Sequence, residues 1–159
     1  MTEQKKTILV TGAFNPLHFG HLLLLKDASS YGDVIVALNS DEWVIRNKGY
    51  LHFDFKARKQ LLEECKYVSK VVSFDDSDND VCGALLQVRP TYFGNGGAAT
   101  SASVPKQELE VCGYLGIEAV FNLGGIEVNP SKIFAIQKSI INHSNCELQK
   151  LENNSGSNQ

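Results

Sequence analysis

The sequence has no apolar run long enough to cross a membrane: none of its hydrophobic segments approaches the roughly 20 residues that a bilayer requires. The first residues, MTEQKK, are polar, and they contain no apolar segment of the kind that directs export. The sequence therefore predicts a cytoplasmic protein with no membrane partner.

Positive charge is also scarce. The chain of 159 residues carries 15 Lys and Arg against 18 Asp and Glu, a net charge of −3. A surface that binds nucleic acid normally needs an excess of basic residues, so no nucleic-acid partner is expected. Four separated cysteines form no CxxC pair, and reduced thiols are a simpler interpretation than disulfides.

What the sequence does contain is an alternation of short apolar runs and helical stretches. It predicts an α/β fold: a Rossmann-like single domain with an open, parallel, five-stranded sheet and helices on both faces. We expect the domain to span residues 1–142 and a polar tail to span 143–159. The expected strands are Thr7–Val10, Val34–Leu38, Val71–Phe74, Thr91–Phe93 and Ala119–Leu123. The expected helices are His21–Ser30, Lys56–Cys65, Asp80–Leu86 and Pro105–Cys112.

The stretch GAFNPLHFGH, residues 12–21, follows the first predicted strand. Gly12 allows a sharp turn there, and a helix is expected to begin near Phe19, where its free amides and dipole favour an anion. His18 and His21 are three residues apart and therefore lie on one face of that helix start. Imidazoles at this place can donate hydrogen bonds to phosphate oxygens.

Two other interpretations of this stretch remain open. A zinc site would need a third ligand, which a distant histidine or aspartate would have to supply. A purely structural turn would explain one histidine more easily than two on the same face.

Three polar or glycine-rich stretches follow predicted strands directly: GAFNPLHFGH, NSDEWVIRNKG and FGNGG. In an open parallel sheet, ligands bind at the carboxyl ends of the strands, near the point where the strand order reverses. We therefore expect these three stretches to converge on one site.

GAFNPLHFGH resembles the GxFDxxHxGH motif of the nucleotidyltransferase superfamily. VALNSDEWVIRNKG, FKARKQLLEECKYVSKVVSFDD and the late FGNGG and ELEVCGYLGIEAVFNLGG resemble its cytidylyltransferase-like branch, which includes glycerol-3-phosphate cytidylyltransferases and heptose-phosphate nucleotidyltransferases. The likeness runs from about Lys6 to Ile136.

This resemblance implies that a nucleoside monophosphate passes from CTP or ATP to a phosphorylated small molecule, such as a polyol or sugar phosphate, with release of pyrophosphate. CMP transfer is favoured over AMP transfer, and an adenylyltransferase acting on a mononucleotide is an alternative. Mg²⁺ is expected with the nucleotide, and a homodimer is an open expectation because relatives are often dimers.

The resemblance also implies which residues act. Catalytic roles fall to His18, His21 and Lys48. Nucleotide binding falls to Gly12, Ala13, Phe14, Asn15, Gly20, Arg46, Arg58, Gly94, Asn95, Gly96, Gly97 and Ser131. No metal-ligating side chain is expected. For Arg58, pairing with Glu63 or Asp54 is an alternative to gripping phosphate, and Arg46 and Lys48 could be ordinary solvated side chains.

The sequence departs from the pattern of these relatives at several positions. Asn15 stands where many relatives have Asp, Ala98 and Ala99 follow the late glycines where relatives have a carboxylate, and Ser131 stands alone in place of a Ser/Thr-rich motif. Two further hypotheses follow: a nucleotide-binding module with impaired catalysis, and a plain α/β interaction domain.

Overall fold

A computed structural model describes residues 4–97 and 99–125. Within these ranges, strands alternate with helices in the expected way. The strands are β1 (Thr7–Gly12), β2 (Asp33–Leu38), β3 (Val68–Ser73), β4 (Tyr92–Gly96) and β5 (Glu118–Leu123). The helices are α1 (Phe19–Ser29), α2 (Asp41–Lys48), α3 (Phe55–Glu63), α4 (Cys82–Val88) and α5 (Lys106–Leu115).

The five strands form one parallel sheet in the order β3-β2-β1-β4-β5, which confirms the predicted Rossmann-like fold. From β1 the chain proceeds outward through β2 and β3, and then returns to the other side of β1 for β4 and β5. The order therefore reverses between β1 and β4. A crevice at the carboxyl ends of these two strands is where such a sheet binds ligands.

Side chains alternate across the sheet and supply a core on each face. Ile8 and Val10 of β1 point to the face that α1 and α3 cover, where they pack with Leu25 and Leu62. Leu9 points to the opposite face. There it packs with residues of α4 and α5, including Ala84, Leu85 and Cys112. Because helices cover both faces of the sheet, we expect a site at the carboxyl ends of the strands.

One helix was missed from the sequence. No helix is predicted from the sequence in NSDEWVIRNKG, but Asp41–Lys48 is helical. Its end signals are all local: Ser40 accepts a hydrogen bond from the Trp43 N–H as the N-cap residue, acidic residues fill the first turn, and Gly49 ends the helix with a φ of 77°.

The glycine-rich stretch also differs from expectation. FGNGG was expected to follow the fourth strand, but Gly94, Asn95 and Gly96 belong to β4, and Gly97 alone of its glycines follows the strand. The pairing of β4 with β5 shifts register between Gly94 and Gly96, so the strand continues through an irregularity.

Several expectations fall outside the described residues: Ala98, Ser131, Cys146 and the boundary at residue 142. Cys65, Cys82 and Cys112 are free thiols. No helix in the described part of the chain is both long and apolar enough to span a membrane.

Glu108 of α5 is buried, and its Oε1 accepts a hydrogen bond from the N–H of Val81 at 3.1 Å. Val81 is the N-cap residue of α4, and its apolar side chain cannot cap the helix. Glu108 therefore performs that task from the neighbouring helix. Burial raises the pKa of Glu108, and the charge of Asp80 adds to the effect.

We expect Glu108→Gln to stabilise the protein at pH 7, because the amide oxygen still accepts from Val81 without a buried charge. A folded-state pKa above the unfolded value contributes stability that is lost as the pH rises through the folded pKa. The advantage of Glu108→Gln should therefore shrink toward pH 4. Glu108→Ala should cost about 1–3 kcal/mol, because it removes the acceptor of a buried N–H. Urea unfolding measures all three proteins.

Glu110→Gln provides the control for charge, since Glu110 pairs with Lys106 at 3.8 Å on the exposed side of the same helix. This variant should change stability by less than about 0.5 kcal/mol. If Glu108→Gln were no more stable than wild type at pH 7, the charge of the buried carboxylate would not lower the free energy of unfolding.

Candidate active site

The turn between β1 and α1 is built around two histidines that cap the helix reciprocally. His18, the N-cap residue, has extended backbone angles, and its Nδ1 accepts a hydrogen bond from the N–H of Gly20 at 3.0 Å. The Nδ1 of His21 accepts in turn from the N–H of His18 at 3.2 Å. This is the geometry of a capping box, with imidazoles in place of the usual hydroxyl and carboxylate.

The two imidazole rings are stacked, with centroids 3.7 Å apart and planes inclined by 24°. Phe14 packs against His21 from the other side, its ring centroid 4.7 Å away. The pair expected from the sequence is therefore one unit, and it lies directly at the carboxyl end of β1.

Hydrogen bonding fixes the protonation of this unit. Because each Nδ1 accepts a backbone N–H, each neutral ring carries its proton on Nε2. Burial lowers the pKa of His18. Burial, together with the adjacent His18, lowers the pKa of His21 to about 3. At neutral pH the unit is therefore uncharged and carries its ring N–H groups at Nε2, at a helix end that attracts anions.

A zinc site gains no support from this geometry. No group of three or more His, Cys, Asp or Glu residues within 4–97 and 99–125 is arranged to hold a metal ion. In addition, both Nδ1 atoms are already engaged in capping.

Gly96 of β4 allows α1 to approach the sheet closely, and Gly94 allows side chains of β1 and β5 to do so. A Cβ at Gly96 would overlap the side chain of Leu24, and a Cβ at Gly94 would lie 2.8 Å from Leu123 Cδ1. Leu24 is three residues beyond His21, about one helical turn along α1. The glycine stretch and the turn that carries the histidine pair therefore belong to neighbouring strands, β4 and β1, and their convergence on one site stays a prediction. Contact of these glycines with nucleotide stays a prediction.

Beyond these glycines, Gly97 has a φ of 60° and donates its N–H to the carbonyl of Leu123 at 3.2 Å. The Nδ2 of Asn95 donates to the carbonyls of Phe93 and Val120, both at 3.3 Å. Asn95 thus braces the irregular end of β4 against β5.

Arg58 lies under the loops that carry the site, and its side chain is 0% exposed. Nε donates to the carbonyl of Phe53 at 2.9 Å, and one terminal nitrogen donates to the carbonyls of Ala13 at 2.8 Å and Asn39 at 2.9 Å. The other terminal nitrogen forms an ion pair with Asp41 at 2.6 Å. One guanidinium therefore joins the ends of β1 and β2 to the starts of α2 and α3.

These contacts correct two expectations about Arg58. Its partner is Asp41, neither Asp54 nor Glu63, because Asp54 caps α3 through the N–H of Ala57 and Glu63 pairs with Lys59. A buried guanidinium that is already paired is also poorly placed to grip a phosphate. We infer that Arg58 positions the loops and does not contact the ligand.

A second buried group, Asp76, was missed from the sequence. One carboxylate oxygen accepts from the N–H of Ser40 at 2.7 Å and from Nδ2 of Asn39 at 3.2 Å, and the other accepts from the Ser40 hydroxyl at 2.8 Å. Asp76 thereby fastens the loop after β3 to the end of β2. The rule that sites lie at the carboxyl ends of strands could have found it, since it follows β3 by three residues.

The two predicted basic residues lie in the last turn of α2, on the β2 side of the crevice. Arg46 donates to the carbonyl of Asp76 at 3.1 Å and to Oδ1 of Asn79 at 3.0 Å. The Lys48 ammonium lies 5.9 Å from the centre of the Trp43 ring. Both side chains belong to exposed residues.

The remaining predicted residues belong to the same turn. The carbonyl of Gly12 accepts from the N–H of Asn39 at 3.0 Å, which continues the pairing of β1 with β2. The side chain of Asn15 bridges to Tyr50 and His52 in the segment between α2 and α3. The turn is therefore tied to both neighbouring loops.

Comparison with known proteins assigns this arrangement to a family. Residues 9–113 match the sequence profile described as "Cytidylyltransferase-like", and this match covers more than half of the chain. The chain belongs to that family.

Similar proteins include the glycerol-3-phosphate cytidylyltransferase of Staphylococcus aureus, which is 39% identical over 70 residues, 42% of this chain and 52% of that protein. The FAD synthase of Thermoplasma volcanium is 30% identical over 84 residues, 52% of this chain and 58% of that protein. The chain thus spans about half of the length of these curated relatives. A crystal structure of the lipopolysaccharide core biosynthesis protein from Thermoplasma volcanium is 25% identical, with a TM-score of 0.61 over 75% of this chain and 95% of the other.

We expect Arg58→Met to lose about 3–5 kcal/mol of unfolding free energy, because it leaves Asp41 without its ion-pair partner and three carbonyls without their donor. The adjacent Lys59→Met should lose less than about 0.5 kcal/mol, since Lys59 makes only an exposed pair with Glu63. Chemical denaturation compares the two. Arg58→Lys keeps the charge but lacks the planar set of donors of a guanidinium, so its loss of unfolding free energy should lie between those of the two Met variants. Equal stability of the Met variants would contradict a positioning role for Arg58.

The histidine unit makes stability depend on pH. The folded pKa of His21 is about 3, whereas an unfolded histidine titrates near 6.5. As the pH falls from about 6.5 toward 3, the unfolded state gains a proton that the folded state does not, so stability is lost over that range. We expect His21→Gln to lower the number of protons taken up on unfolding by up to about one, and so to make stability depend less on pH. Gln at this position keeps the capping box but does not titrate.

Thermal unfolding of wild type and His21→Gln between pH 7.5 and 4.5 tests this expectation in a range where most carboxylates remain ionised. The two melting temperatures should agree most closely near pH 7.5 and diverge below pH 6.5. Parallel curves throughout would mean that His21 keeps its ordinary pKa in the folded protein.

Proposed function

We propose that this member of the cytidylyltransferase-like family is a nucleotidyltransferase. It transfers a nucleoside monophosphate from a nucleoside triphosphate to a phosphorylated small molecule and releases pyrophosphate. One observation carries the proposal: the stacked, neutral histidine pair that caps α1 at the point where the strand order reverses.

In the proposed reaction, a phosphate oxygen of the acceptor attacks the α-phosphorus of the nucleotide. A new phosphorus–oxygen bond forms as the bond from the α-phosphorus to the bridging oxygen breaks, and that oxygen leaves with the pyrophosphate. The acceptor phosphate is largely ionised at neutral pH, so no strong base is required. Catalysis consists of positioning and of stabilising the charge that develops.

The two Nε2–H groups suit the second task. They donate hydrogen bonds without a change of protonation, and the capping bonds hold both rings in place before the substrate arrives. Because the pair is neutral, the negative charge of the triphosphate needs other partners. We assign that role to Mg²⁺ bound with the nucleotide and to Lys48, whose long exposed side chain can turn from Trp43 toward the crevice.

The nucleotide and the acceptor are the finer part of the proposal. We favour CMP transfer to a polyol or sugar phosphate because the similar proteins include glycerol-3-phosphate cytidylyltransferases, one of them 39% identical. AMP transfer is the alternative, since a FAD synthase is 30% identical. Pyrophosphate release from CTP or ATP, each with Mg²⁺ and with sn-glycerol 3-phosphate, a hexose 1-phosphate or FMN, separates these choices. Nucleotide binding without release from any pair would favour an impaired binding module, which the alanines at positions 98 and 99 suggest.

We expect His18→Asn to reduce kcat by about 10²-fold or more, the usual effect of removing one donor to developing charge. Asn is among the best N-cap residues, so the bond from Gly20 can be kept while the imidazole Nε2–H is lost. The melting temperature should therefore change little, and nucleotide affinity should fall less than kcat, because the contact strengthens in the transition state.

His18→Ala separates capping from catalysis, because it also removes the cap and should cost about 1 kcal/mol more than His18→Asn. A double variant with His21→Gln should lose less activity than the product of the single losses if both donors serve one transition state. A wild-type kcat in both His18→Asn and His21→Gln would contradict the proposed role of the histidine pair.

A further inference from the structure

Asn15 uses both ends of its side-chain amide to hold one segment of backbone. Its Nδ2 donates to the carbonyl of Tyr50 at 2.8 Å, and its Oδ1 accepts from the N–H of His52 at 2.8 Å. A carbonyl can only accept and an N–H can only donate, so these partners fix the orientation of the amide. A carboxylate at position 15 would match one partner and repel the other.

The segment that Asn15 holds, Tyr50–Phe53, lies between α2 and α3 and outside any helix or strand. We call it the aromatic segment. Its far end is fastened as well, because Arg58 donates to the carbonyl of Phe53 and, from the same guanidinium, to the carbonyl of Ala13. The aromatic segment is thus tied at both ends to the turn that carries the histidine pair.

Although its backbone is held, the aromatic segment leaves its rings in solvent. Tyr50 is 65% exposed and Phe53 is 46% exposed. The rings of Tyr50 and His52 meet edge to face, with centroids 4.8 Å apart. Fixed backbone with exposed aromatic rings beside an anion site is suited to a ligand that has an apolar carbon face and polar substituents.

The position of the segment indicates which ligand this is. The glycine stretch of β4 forms the wall on one side of β1, and the aromatic segment follows β2 and α2 on the other side. In an in-line transfer, the acceptor and the departing pyrophosphate lie on opposite sides of the α-phosphorus. Among the described residues, the β4 side presents close-packed glycines and their open neighbour Gly97, whereas the β2 side presents exposed rings, so the β2 side suits the acceptor.

We propose that the aromatic segment is the acceptor-binding wall of the crevice, with Tyr50 against the carbon skeleton of the acceptor, and that Asn15 is the positioning residue that holds this wall. This inference rests on the proposed function, because it names the side from which the phosphorylated acceptor enters.

The decisive variant is Asn15→Asp, with Asn79→Asp as its matched control. At position 15 the aspartate places a second acceptor oxygen opposite the Tyr50 carbonyl. At position 79 the Oδ1 atom only accepts, from Arg46 and Asn47, so an aspartate keeps both bonds. Asn79 also has a φ of 59°, a conformation that Asp tolerates well. Both variants therefore add the same charge, but only one breaks a bond.

The first measurement is amide hydrogen exchange of peptides that cover residues 49–54, in the protein without substrate. Asn15→Asp should exchange about tenfold faster there than wild type at pH 7.5 and should approach wild type near pH 3.5, where an aspartate is largely protonated and can donate to Tyr50 again. Asn79→Asp should match wild type at both values. Unchanged exchange in Asn15→Asp would mean that Asn15 does not hold the segment.

The second measurement is steady-state kinetics with whichever acceptor the wild type uses best. Asn15→Asp and Tyr50→Ala should each raise the acceptor KM by about 5- to 100-fold, the range expected for one lost, partly buried contact. Their kcat should stay within about threefold, and the KM of the nucleotide should rise less than the KM of the acceptor. Asn79→Asp should leave the acceptor KM unchanged.

The outcomes separate the two proposals. Faster exchange in Asn15→Asp with an unaltered acceptor KM, or an increase confined to the nucleotide KM, would overturn the acceptor wall and leave the nucleotidyltransferase standing. A wild-type protein that transfers nucleotide to none of the acceptors would overturn the proposed function and the wall with it.

Discussion

The buried guanidinium of Arg58 is the interaction on which the rest of the site depends. Three chain segments, at Ala13, Asn39–Asp41 and Phe53, place carbonyl or carboxylate oxygens on one planar group, and the farthest of them lies 45 residues from Arg58 in sequence. A charge taken out of water is tolerated only when its partners are nearly complete. Each segment therefore stabilises the position of the others. The hydrogen bond to the Ala13 carbonyl holds the turn that carries the histidine pair, and the hydrogen bond to the Phe53 carbonyl holds the aromatic segment.

In the proposed function, one set of hydrogen bonds at the histidine pair serves stability and chemistry together. The Nδ1 atoms accept the backbone amides that a helix start would otherwise leave unpaired. The same bonds fix the tautomer, and hence direct the Nε2–H of each ring as a donor. Ordinary cap residues would satisfy the amides equally well, and the proposed function assigns the use of two imidazoles to hydrogen bonds that the Nε2 atoms donate to the substrate.

The sequence was informative where signals are local or periodic. Alternating apolar runs predict the parallel sheet, and the spacing of His18 and His21 predicts a pair on one helix face. The helix α2 was also within reach, because Ser40 and Gly49 mark its ends. The partner of Arg58 was not, because the nearby Asp54 and Glu63 are equally plausible until the loops are folded. The position of Asp76, three residues after β3, was within reach, but its partners were not, because its three hydrogen bonds cross 36 or 37 residues of sequence.

The charge of the site follows from these assignments. A nucleoside triphosphate brings several negative charges, yet burial keeps the histidine pair neutral, and Arg58 is committed to Asp41. The start of α1 supplies about half a positive charge, which offsets only part of this. In the proposed function, the remaining positive charge comes from groups that can move toward the nucleotide or arrive with it. The proposed roles of the exposed Lys48 and of Mg²⁺ follow from that requirement: the fixed part of the crevice is built for hydrogen-bond geometry, and its counter-charge is supplied when the substrate binds.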